Sequence, residues 1–131
     1  MRVAPMDIIG TGMDAIEIAR IGEAIDRYGD HFVRRVFTDD EIAYCRGKRD
    51  FAASFAARFA AKEAAMKALG TGFSRGVHWK GIEVARRHGP PLLRFHDGAA
   101  ERCAAMGATG SLLTLTHSRD LAIAHVLLLK N

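Results

Sequence analysis

An alanine-rich segment over residues 51–69 is the feature that most constrains the fold of this chain. Alanine has the highest intrinsic helix propensity, Asp50 is placed to cap the first turn, and Gly70 is placed to end the last turn. The sequence therefore predicts one long helix, with the rest of the chain packed against it. The large apolar residues that predict its core-facing stripe are Phe51, Phe55, Phe59 and Met66.

Charged residues border that stripe at positions that packing does not explain. Successive residues of a helix are about 100° apart around its axis. Glu63 therefore lies about 40° beyond Phe59, whereas Arg58 and Lys62 lie at the opposite border of the apolar face or within it. Desolvating charges beside a core is costly unless they are paired or bind something. One explanation is a helical ion pair between Glu63 and Lys67, four residues apart. The other is a ligand, such as a metal ion with phosphates.

A second acidic residue, Asp14, follows an apolar segment and two glycines. Residues 6–10 predict a short buried strand, which we expect Gly10 and Gly12 to end. A helix is then predicted over residues 16–28. Asp14 could simply cap that helix, or the glycines could allow close approach between a ligand and the backbone.

Asp14 and Glu63 would form one site if the fold brought them together. Carboxylate oxygens select magnesium, and neighbouring lysine and arginine side chains would neutralise the phosphate charge of a bound substrate. The pattern therefore indicates a magnesium site for a substrate that carries a pyrophosphate. Gly10-Thr11-Gly12 is not a dinucleotide fingerprint, because the third glycine is missing.

The remaining segments predict an α+β fold in a single domain over residues 1–131. Thr38 and Glu41 form the pattern of a capping box, which predicts a short helix to about Arg46. The other segments show strand and turn patterns. The predicted order is a strand at 6–10, helices at 16–28, after Thr38 and at 51–69, strands at 77–87 and 92–95 joined by a turn at 88–91, a helix at 97–106, and strands at 111–116 and 121–129.

Two loops could contact an anion. His117 and Ser118 lie in the predicted turn between the last two strands; such turns are usually solvated, but they are also common phosphate-binding positions. Gly70-Thr71-Gly72 follows the long helix and could be only a C-cap and turn, or a loop that faces a ligand.

Composition narrows the classes of function. The net charge of +4 is compatible with an acidic partner, but the arginine clusters lack the interleaved aromatic residues of single-strand binding platforms, so we expect no nucleic acid. The apolar run at 121–129 is too short to cross a bilayer. Residues 1–5 lack the apolar region of a secretory signal, which favours the cytoplasm.

The alternative interpretation is a basic binding module, in which Asp14 is a cap, Glu63 is an ion-pair partner and no magnesium is needed.

Taken in order and spacing, these segments resemble the holo-acyl-carrier-protein synthase family, the bacterial group of 4′-phosphopantetheinyl transferases. The resemblance covers nearly the whole chain and is strongest in Phe59-Ala60-Ala61-Lys62-Glu63. Its motifs are Ile8-Ile9-Gly10-Thr11-Gly12-Met13-Asp14 with Glu17 and Arg20-Ile21, Phe37-Thr38 with Glu41, Arg58 to Ala64 with Lys67-Ala68, Gly70-Thr71-Gly72, Trp79 with Ile82-Glu83-Val84, Gly89 with Pro91, and Leu115-Thr116-His117-Ser118.

The resemblance implies the 4′-phosphopantetheinyl transferase fold, with a mainly antiparallel sheet packed on a long helix. It implies transfer of the 4′-phosphopantetheine group from coenzyme A to a serine of apo acyl carrier protein, in support of fatty acid biosynthesis. Adenosine 3′,5′-bisphosphate would be released, and Mg²⁺ would be required. It further implies a homotrimer with the active site at the subunit interface.

The resemblance also implies roles for individual residues. Asp14 and Glu63 match the magnesium-binding carboxylates and, with Lys67, are expected to be catalytic, Glu63 or a water that it orients being the expected base. Arg20 and Arg27 on the first helix are expected to dock the acidic carrier protein. The residues expected to contact coenzyme A are Arg58, Lys62, Lys67, Gly70, Thr71, Gly72, His117 and Ser118.

Overall fold

The computed structural model describes residues 5–86 and 89–131. Its helices are α1 (Ile18–Tyr28), α2 (Asp30–Val36), α3 (Asp39–Arg46), α4 (Phe51–Leu69) and α5 (Asp97–Met106). Its strands are β1 (Asp7–Glu17), β2 (Ile82–Ala85), β3 (Leu92–Phe95), β4 (Gly110–His117) and β5 (Leu121–Lys130). This architecture confirms the predicted α+β class.

Helix α4 has the predicted bounds and is buried on nearly every side. The Asp50 side chain accepts a hydrogen bond from the Ala53 N–H at 3.1 Å, and Gly70 ends the helix in the left-handed conformation. Thirteen of its 19 residues are buried. The predicted single stripe is therefore only part of the packing surface, and Phe51 lies outside it, exposed. Alanine explains the difference, because its small side chain lets neighbouring elements approach from several directions.

An antiparallel sheet in the order β1-β5-β4 covers one side of α4. The inward-facing residues of β5 are fully buried against the helix, and they alternate with partly exposed residues on the outer face. The hairpin β2-β3 forms a second, two-stranded sheet. Both sheets are antiparallel, as predicted.

Strand β1 does not end at its glycines, which corrects the prediction of a short strand. It continues to Glu17, paired with β5, with a register irregularity between Ile8 and Gly10. A Cβ atom on Gly12 would overlap the carbonyl oxygen of Ala64, and one on Gly10 would overlap that of Ala68. The glycines therefore let the strand approach α4, rather than admitting a ligand to the backbone.

The extension of β1 also excludes the capping role for Asp14. Helix α1 begins at Ile18, two residues later than predicted, because residues 16 and 17 still pair with β5. Its N-cap is Glu17, which makes no side-chain capping bond. Asp14 lies within the strand, three residues before the cap.

Two further elements differ from the prediction. Helix α2 was not predicted: Gly29 ends α1 as expected, but its positive φ of 54° turns the chain directly into the next helix. The strand predicted at 77–87 is shorter, because a 3-10 turn (Trp79–Gly81) precedes β2. The predicted strand end at Arg87 and the start of the turn at His88 lie outside the described residues.

No helix within residues 5–86 or 89–131 combines the length and hydrophobicity needed to cross a membrane.

The contact between β1 and α4 makes a prediction about stability. Gly12→Ala should destabilise the protein by about 2 kcal/mol, because the new methyl group must push the strand away from α4. Gly110→Ala is the control, since a Cβ at that strand position meets no atom within 4 Å. Urea unfolding of both variants measures the difference. Equal stability for the two variants would contradict the close packing.

Candidate active site

An open cavity of about 510 Å³ lies where β1, α1 and α4 meet. Strand β1 carries Asp14 into it, and α4 carries Glu63 and Lys67, one turn apart on the same face. The two acidic residues that are distant in sequence therefore line one cavity. Its other lining residues include Arg20 from α1, Phe32 from α2 and Phe59 from α4.

Lys67 is paired with Asp14 rather than with Glu63. Its Nζ donates to the Asp14 Oδ1 atom at 3.1 Å and to the Met13 carbonyl oxygen at 2.9 Å. Within the described residues, the Glu63 side chain forms no hydrogen bond or ion pair. The helical ion pair that offered a purely structural explanation for Glu63 is therefore not formed.

The environment of Glu63 disfavours its negative charge. Burial raises the pKa of this carboxyl, the nearby charge of Asp14 raises it further, and Lys67 opposes the shift. A carboxylate in this position gains from a cation that binds both acids at once. The arrangement is typical of sites whose charge is completed by a ligand.

The donor set fits magnesium bound together with phosphate. Residues 5–86 and 89–131 contain no group of three or more histidine, cysteine or acidic side chains that could hold a metal by themselves. Mg²⁺ commonly uses only one or two carboxylates and completes its shell with waters and substrate phosphates. Asp14 and Glu63 supply the two carboxylates, and Lys67 supplies a cation beside them.

Lys62 does not reach this cavity. Its side chain is completely buried, and its Nζ lies 2.8 Å from Glu41 Oε1, 2.9 Å from the Trp79 carbonyl oxygen and 2.5 Å from that of Ile82. An ammonium group has three donors, so none is left for a phosphate. Lys62 therefore has a structural role, in which it links α4 to α3 and to the turn before β2.

Glu41 completes that buried contact. Its carboxylate accepts hydrogen bonds from the N–H groups of Thr38 and Val84, both at 2.9 Å, as well as binding Lys62. The capping box predicted from Thr38 and Glu41 is present. Sequence reasoning identified the cap but not the ion pair, because nothing in the local pattern places Lys62 next to Glu41.

Arg58 faces a different cavity, of about 310 Å³, whose other lining residues include Tyr44, Arg86 and Arg94. The Arg58 guanidinium lies 4.1 Å above the Tyr44 ring, and its Nε is buried without a hydrogen-bond partner among the described residues. An unpaired, buried guanidinium N–H is costly unless a ligand accepts from it. Arg58 and Glu63 are five residues apart on α4, which places them on different sides of the helix.

Of the other predicted contacts, only Arg20 lines the Asp14 cavity. The segment Gly70-Thr71-Gly72 forms the left-handed end of α4 and the turn after it, one turn beyond Lys67. His117 and Ser118 are exposed at the β4–β5 turn, where Ser118 Oγ accepts from the N–H groups of residues 120 and 121. Arg20 and Arg27 line a surface cavity along α1, and only Arg20 also lines the Asp14 cavity.

An aromatic groove adjoins the Asp14 cavity and was missed by the sequence reasoning. This groove, of about 370 Å³, shares Phe32 and Phe59 with the cavity and is completed by Arg35, Val36, Phe73 and Trp79. Phe32, Arg35 and Val36 belong to the unpredicted helix α2, and Phe59 was assigned to the core. The aromatic residues around Gly72 and Trp79 were the sequence signal from which this groove could have been predicted.

The fold and the cavity define a class of protein: a small α+β fold in which a strand and a helix each supply one acidic residue to a cavity, and a lysine is paired with the acidic residue of the strand. The family model of the 4′-phosphopantetheinyl transferase superfamily matches residues 10–125. The chain therefore belongs to this superfamily.

Curated relatives assign the chain to one group within this superfamily. It is 48% identical over 122 residues to the holo-[acyl-carrier-protein] synthase of Solibacter usitatus, covering 92% of this chain and 98% of that protein. It is 46% identical over 126 residues to the synthase of Rhizobium meliloti, covering 92% and 91%. The chain is a phosphopantetheinyl transferase of the holo-[acyl-carrier-protein] synthase type, as the sequence resemblance predicted.

Two solved structures of holo-[acyl-carrier-protein] synthases match the fold of this chain. The structure of Helicobacter pylori holo-[acyl-carrier-protein] synthase in complex with coenzyme A matches with a TM-score of 0.79 and 28% identity, over 90% of this chain and 98% of that one. The Bacillus anthracis synthase, in complex with CoA (3′,5′-ADP), matches with a TM-score of 0.78 and 32% identity, over 97% and 100%. The predicted fold is thereby confirmed.

The buried ion pair between Lys62 and Glu41 leads to a prediction that distinguishes a structural role for Lys62 from phosphate binding. Lys62→Met should destabilise the protein by about 3 kcal/mol, because it leaves the Glu41 carboxylate buried without its cation. Adding Glu41→Gln should recover part of that loss. Lys67→Met is the control, since its side chain is half exposed and should cost at most about 1 kcal/mol.

Urea unfolding and coenzyme A titration of the four proteins measure these effects. If Lys62→Met kept wild-type stability and weakened coenzyme A binding, the lysine would be a phosphate ligand after all.

The raised pKa of Glu63 makes a second prediction. Above this folded-state pKa the ionised carboxylate reduces the free energy of unfolding, and below the unfolded-state value it does not. Glu63→Gln should therefore raise the melting temperature at pH 8 by a small amount, on the order of 2 °C. The gain should shrink as the pH falls through the raised pKa.

Calorimetric melting with and without Mg²⁺ tests this expectation. Added Mg²⁺ should stabilise the wild type more than the variant, since ligands stabilise the state that binds them. Glu101→Gln, at an exposed position of α5, is the matched control. A Glu63→Gln variant less stable than wild type at pH 8 would show that the carboxylate has a partner we have not identified.

Proposed function

We propose that this protein transfers the 4′-phosphopantetheine group of coenzyme A to a serine hydroxyl of apo acyl carrier protein, with Mg²⁺ held by Asp14 and Glu63. The observation that carries the proposal is the cavity in which these two carboxylates meet beside Lys67. The solved relative that matches this fold with coenzyme A bound supports the choice of substrate. The products are the holo carrier and adenosine 3′,5′-bisphosphate.

The reaction forms a bond between the serine oxygen and the phosphorus that carries the pantetheine arm, and breaks the phosphoanhydride bond. Bound magnesium would neutralise charge on the pyrophosphate oxygens as that bond breaks. Lys67 is placed to hold Asp14 and the Met13 carbonyl oxygen with two of its N–H donors and to donate the third to a phosphate oxygen. Glu63, or a metal-bound water that it orients, is the proposed acceptor for the serine proton.

Arg58 supplies a second cationic position for this substrate. Its cavity is lined by three arginines, Arg58, Arg86 and Arg94, and by two acidic residues, Asp40 and Glu83. The arginines suit the phosphates of the nucleotide portion. Because Arg58 and Glu63 face different cavities of one chain, the proposal that both bind one coenzyme A favours a site shared between subunits. His117, Ser118 and the loop at Gly70 to Gly72 are proposed to contact the same substrate.

The outer face of the three-stranded sheet supports a homotrimer. Apolar side chains on the side of this sheet away from α4 are exposed to solvent: Ile8, Met13, Leu112 and Leu121. Exposed apolar residues on one face of a sheet are typical of surfaces that contact another subunit. We propose that the trimer is built on this face and that the active site lies at the subunit interface.

The proposed carrier-protein surface is the exposed side of α1. Arg20 and Arg27 are its cationic residues, next to Glu23 and Asp26, and are proposed to pair with acidic groups of the carrier. Arg20 also lines the Asp14 cavity, so a carrier bound there would lie beside the reacting phosphorus. The reaction would take place in the cytoplasm and supply holo carrier protein for fatty acid biosynthesis.

Intact-mass spectrometry tests the activity directly. Incubation with coenzyme A, Mg²⁺ and an apo acyl carrier protein should add one phosphopantetheinyl group to the carrier, and chelation of the metal should abolish the gain. Glu63→Gln should reduce the rate by about 10³-fold, within the range for loss of an acid–base group. Glu101→Gln, remote on α5, should retain the wild-type rate.

No mass gain with any carrier protein from the same genome would refute the proposed function. It would favour the rival interpretation, a basic binding module in which Glu63 has no catalytic role. Such a module should bind an acidic partner with steep salt dependence and without magnesium.

A further inference from the structure

We propose that His125 makes assembly of the homotrimer depend on pH, because its side chain lies in the middle of the face on which the subunits are proposed to meet. The inference rests on the trimer of the proposed function and adds a regulatory property to it. Neutral His125 allows assembly, and protonated His125 disfavours it. No step of the proposed reaction uses this residue.

His125 lies at the centre of the outer face of the three-stranded sheet. It is in the middle of β5, which is itself the middle strand of the order β1-β5-β4. It is paired with Met13 on β1 and with Thr114 on β4. Side chains alternate between the two faces of a strand, and the neighbours of His125 in β5, Ala124 and Val126, are buried in the core. The imidazole therefore lies on the side of the sheet away from α4.

The surroundings of His125 on this face are apolar or uncharged. Met13 and Leu112 leave 58% and 56% of their surfaces exposed, and Ile123 and Leu127 flank the histidine on β5. Within the described part of the chain, the flanking strands β1 and β4 place no titratable side chain next to it on this face. A charge on the imidazole therefore has no close partner on its own protomer.

The charged residues of the sheet lie at its ends or on its other face. Glu17 pairs four residues from His125 along β5, and Asp7 pairs with Lys130 five residues away in the other direction. At about 3.3 Å per residue these separations are about 13 and 16 Å, longer than the screening length of about 8 Å at physiological ionic strength. Asp14 is nearer, but its side chain lines the cavity on the α4 side, where a lysine pairs with it.

A hydrogen bond to Thr11 holds the imidazole in either charge state. The His125 Nε2 atom lies 3.2 Å from the Thr11 Oγ1 atom. A hydroxyl group can donate to a neutral ring nitrogen or accept from a ring N–H, so protonation does not break this contact. What protonation changes is the charge of the face. In the free protomer, water reaches the pair and solvates that charge.

The structure favours copies of this chain as the molecules that cover the face. Glu63 and Arg58 line different cavities of one protomer, so both can contact one coenzyme A only when two copies meet. Strand β1 carries Asp14 on its inner side and Met13 on its outer side, so an interface on the outer face borders the site. An uncharged apolar face also matches the same face of another copy without leaving a charge unpaired.

Assembly takes His125 out of water, and the cost depends on its charge. A neutral imidazole keeps its bond to Thr11, whereas a buried imidazolium without an acidic partner is costly. Histidine gains its proton near pH 6.5. The trimer therefore binds fewer protons than three free protomers, so its stability is complete above that pH and is lost as the pH falls below it.

Analytical ultracentrifugation of the full chain at about pH 7.5 and about pH 5.5 tests the proposal. The wild type should be a trimer at the higher pH. At the lower pH its trimer dissociation constant should rise on the order of 100-fold, or about five-fold for each of the three histidines. His125→Gln, which stays neutral and can still bond to Thr11, should change by less than about three-fold.

His31→Gln is the matched control, because His31 is exposed on α2, and this variant should dissociate as the wild type does. Circular dichroism at both pH values distinguishes dissociation from acid unfolding. A wild type that stays trimeric at the lower pH would overturn the proposal. A His125→Gln trimer that dissociates as the wild type does, or a wild type that unfolds as it dissociates, would overturn it as well.

This inference and the proposed activity fail in different ways. A protein that is a single protomer at both pH values, yet transfers the phosphopantetheinyl group, refutes the trimer and with it this inference. A trimer that dissociates at low pH through His125, yet transfers no group to any carrier, supports this inference and refutes the proposed activity.

Discussion

The close contact between β1 and α4 is the constraint on which the rest of the structure depends. Two glycines in the strand lie against the backbone carbonyls of Ala64 and Ala68, where any larger residue would overlap them. Because Asp14 follows the second glycine in the strand and Glu63 precedes Ala64 in the helix, this contact places the two carboxylates on one cavity. The same residues therefore determine both the packing and the candidate metal site.

Burial distinguishes the charged residues of α4 that stabilise the fold from those that are available to a ligand. Lys62 is completely buried and its three donors are used by Glu41 and two carbonyl groups. Glu63, the next residue, is half-buried in an open cavity, where burial and the nearby charge of Asp14 raise its pKa. Arg58 faces the arginine-lined cavity with an unpaired Nε among the described residues. A ligand with several phosphates, bound together with a cation, would satisfy Arg58 and Glu63 but has no contact to offer Lys62.

Where local patterns determine an element, the sequence was sufficient. The bounds of α4, the capping box at Thr38, the helix over 97–106 and the final hairpin agree with the structure to within a residue or two at each end. Helix α2 was missed because Gly29 ends one helix and begins the next. The length of β1 was underestimated because its glycines pack against another element, a fact that strand propensity does not contain. Missing α2 also concealed the aromatic groove, which α2 partly lines.

Capping, periodicity and motif spacing are local properties of the chain, so they were enough to predict the fold class, the family and the two acidic residues of the candidate site. Which charges are available to a ligand could be read only from the packing of the folded chain. Lys62 and Glu63 are neighbours in sequence, yet one is enclosed by three acceptors and the other lines a cavity with Asp14. That difference depends on which segments pack against each side of α4, and burial, unlike helix formation, depends on contacts between distant parts of the chain.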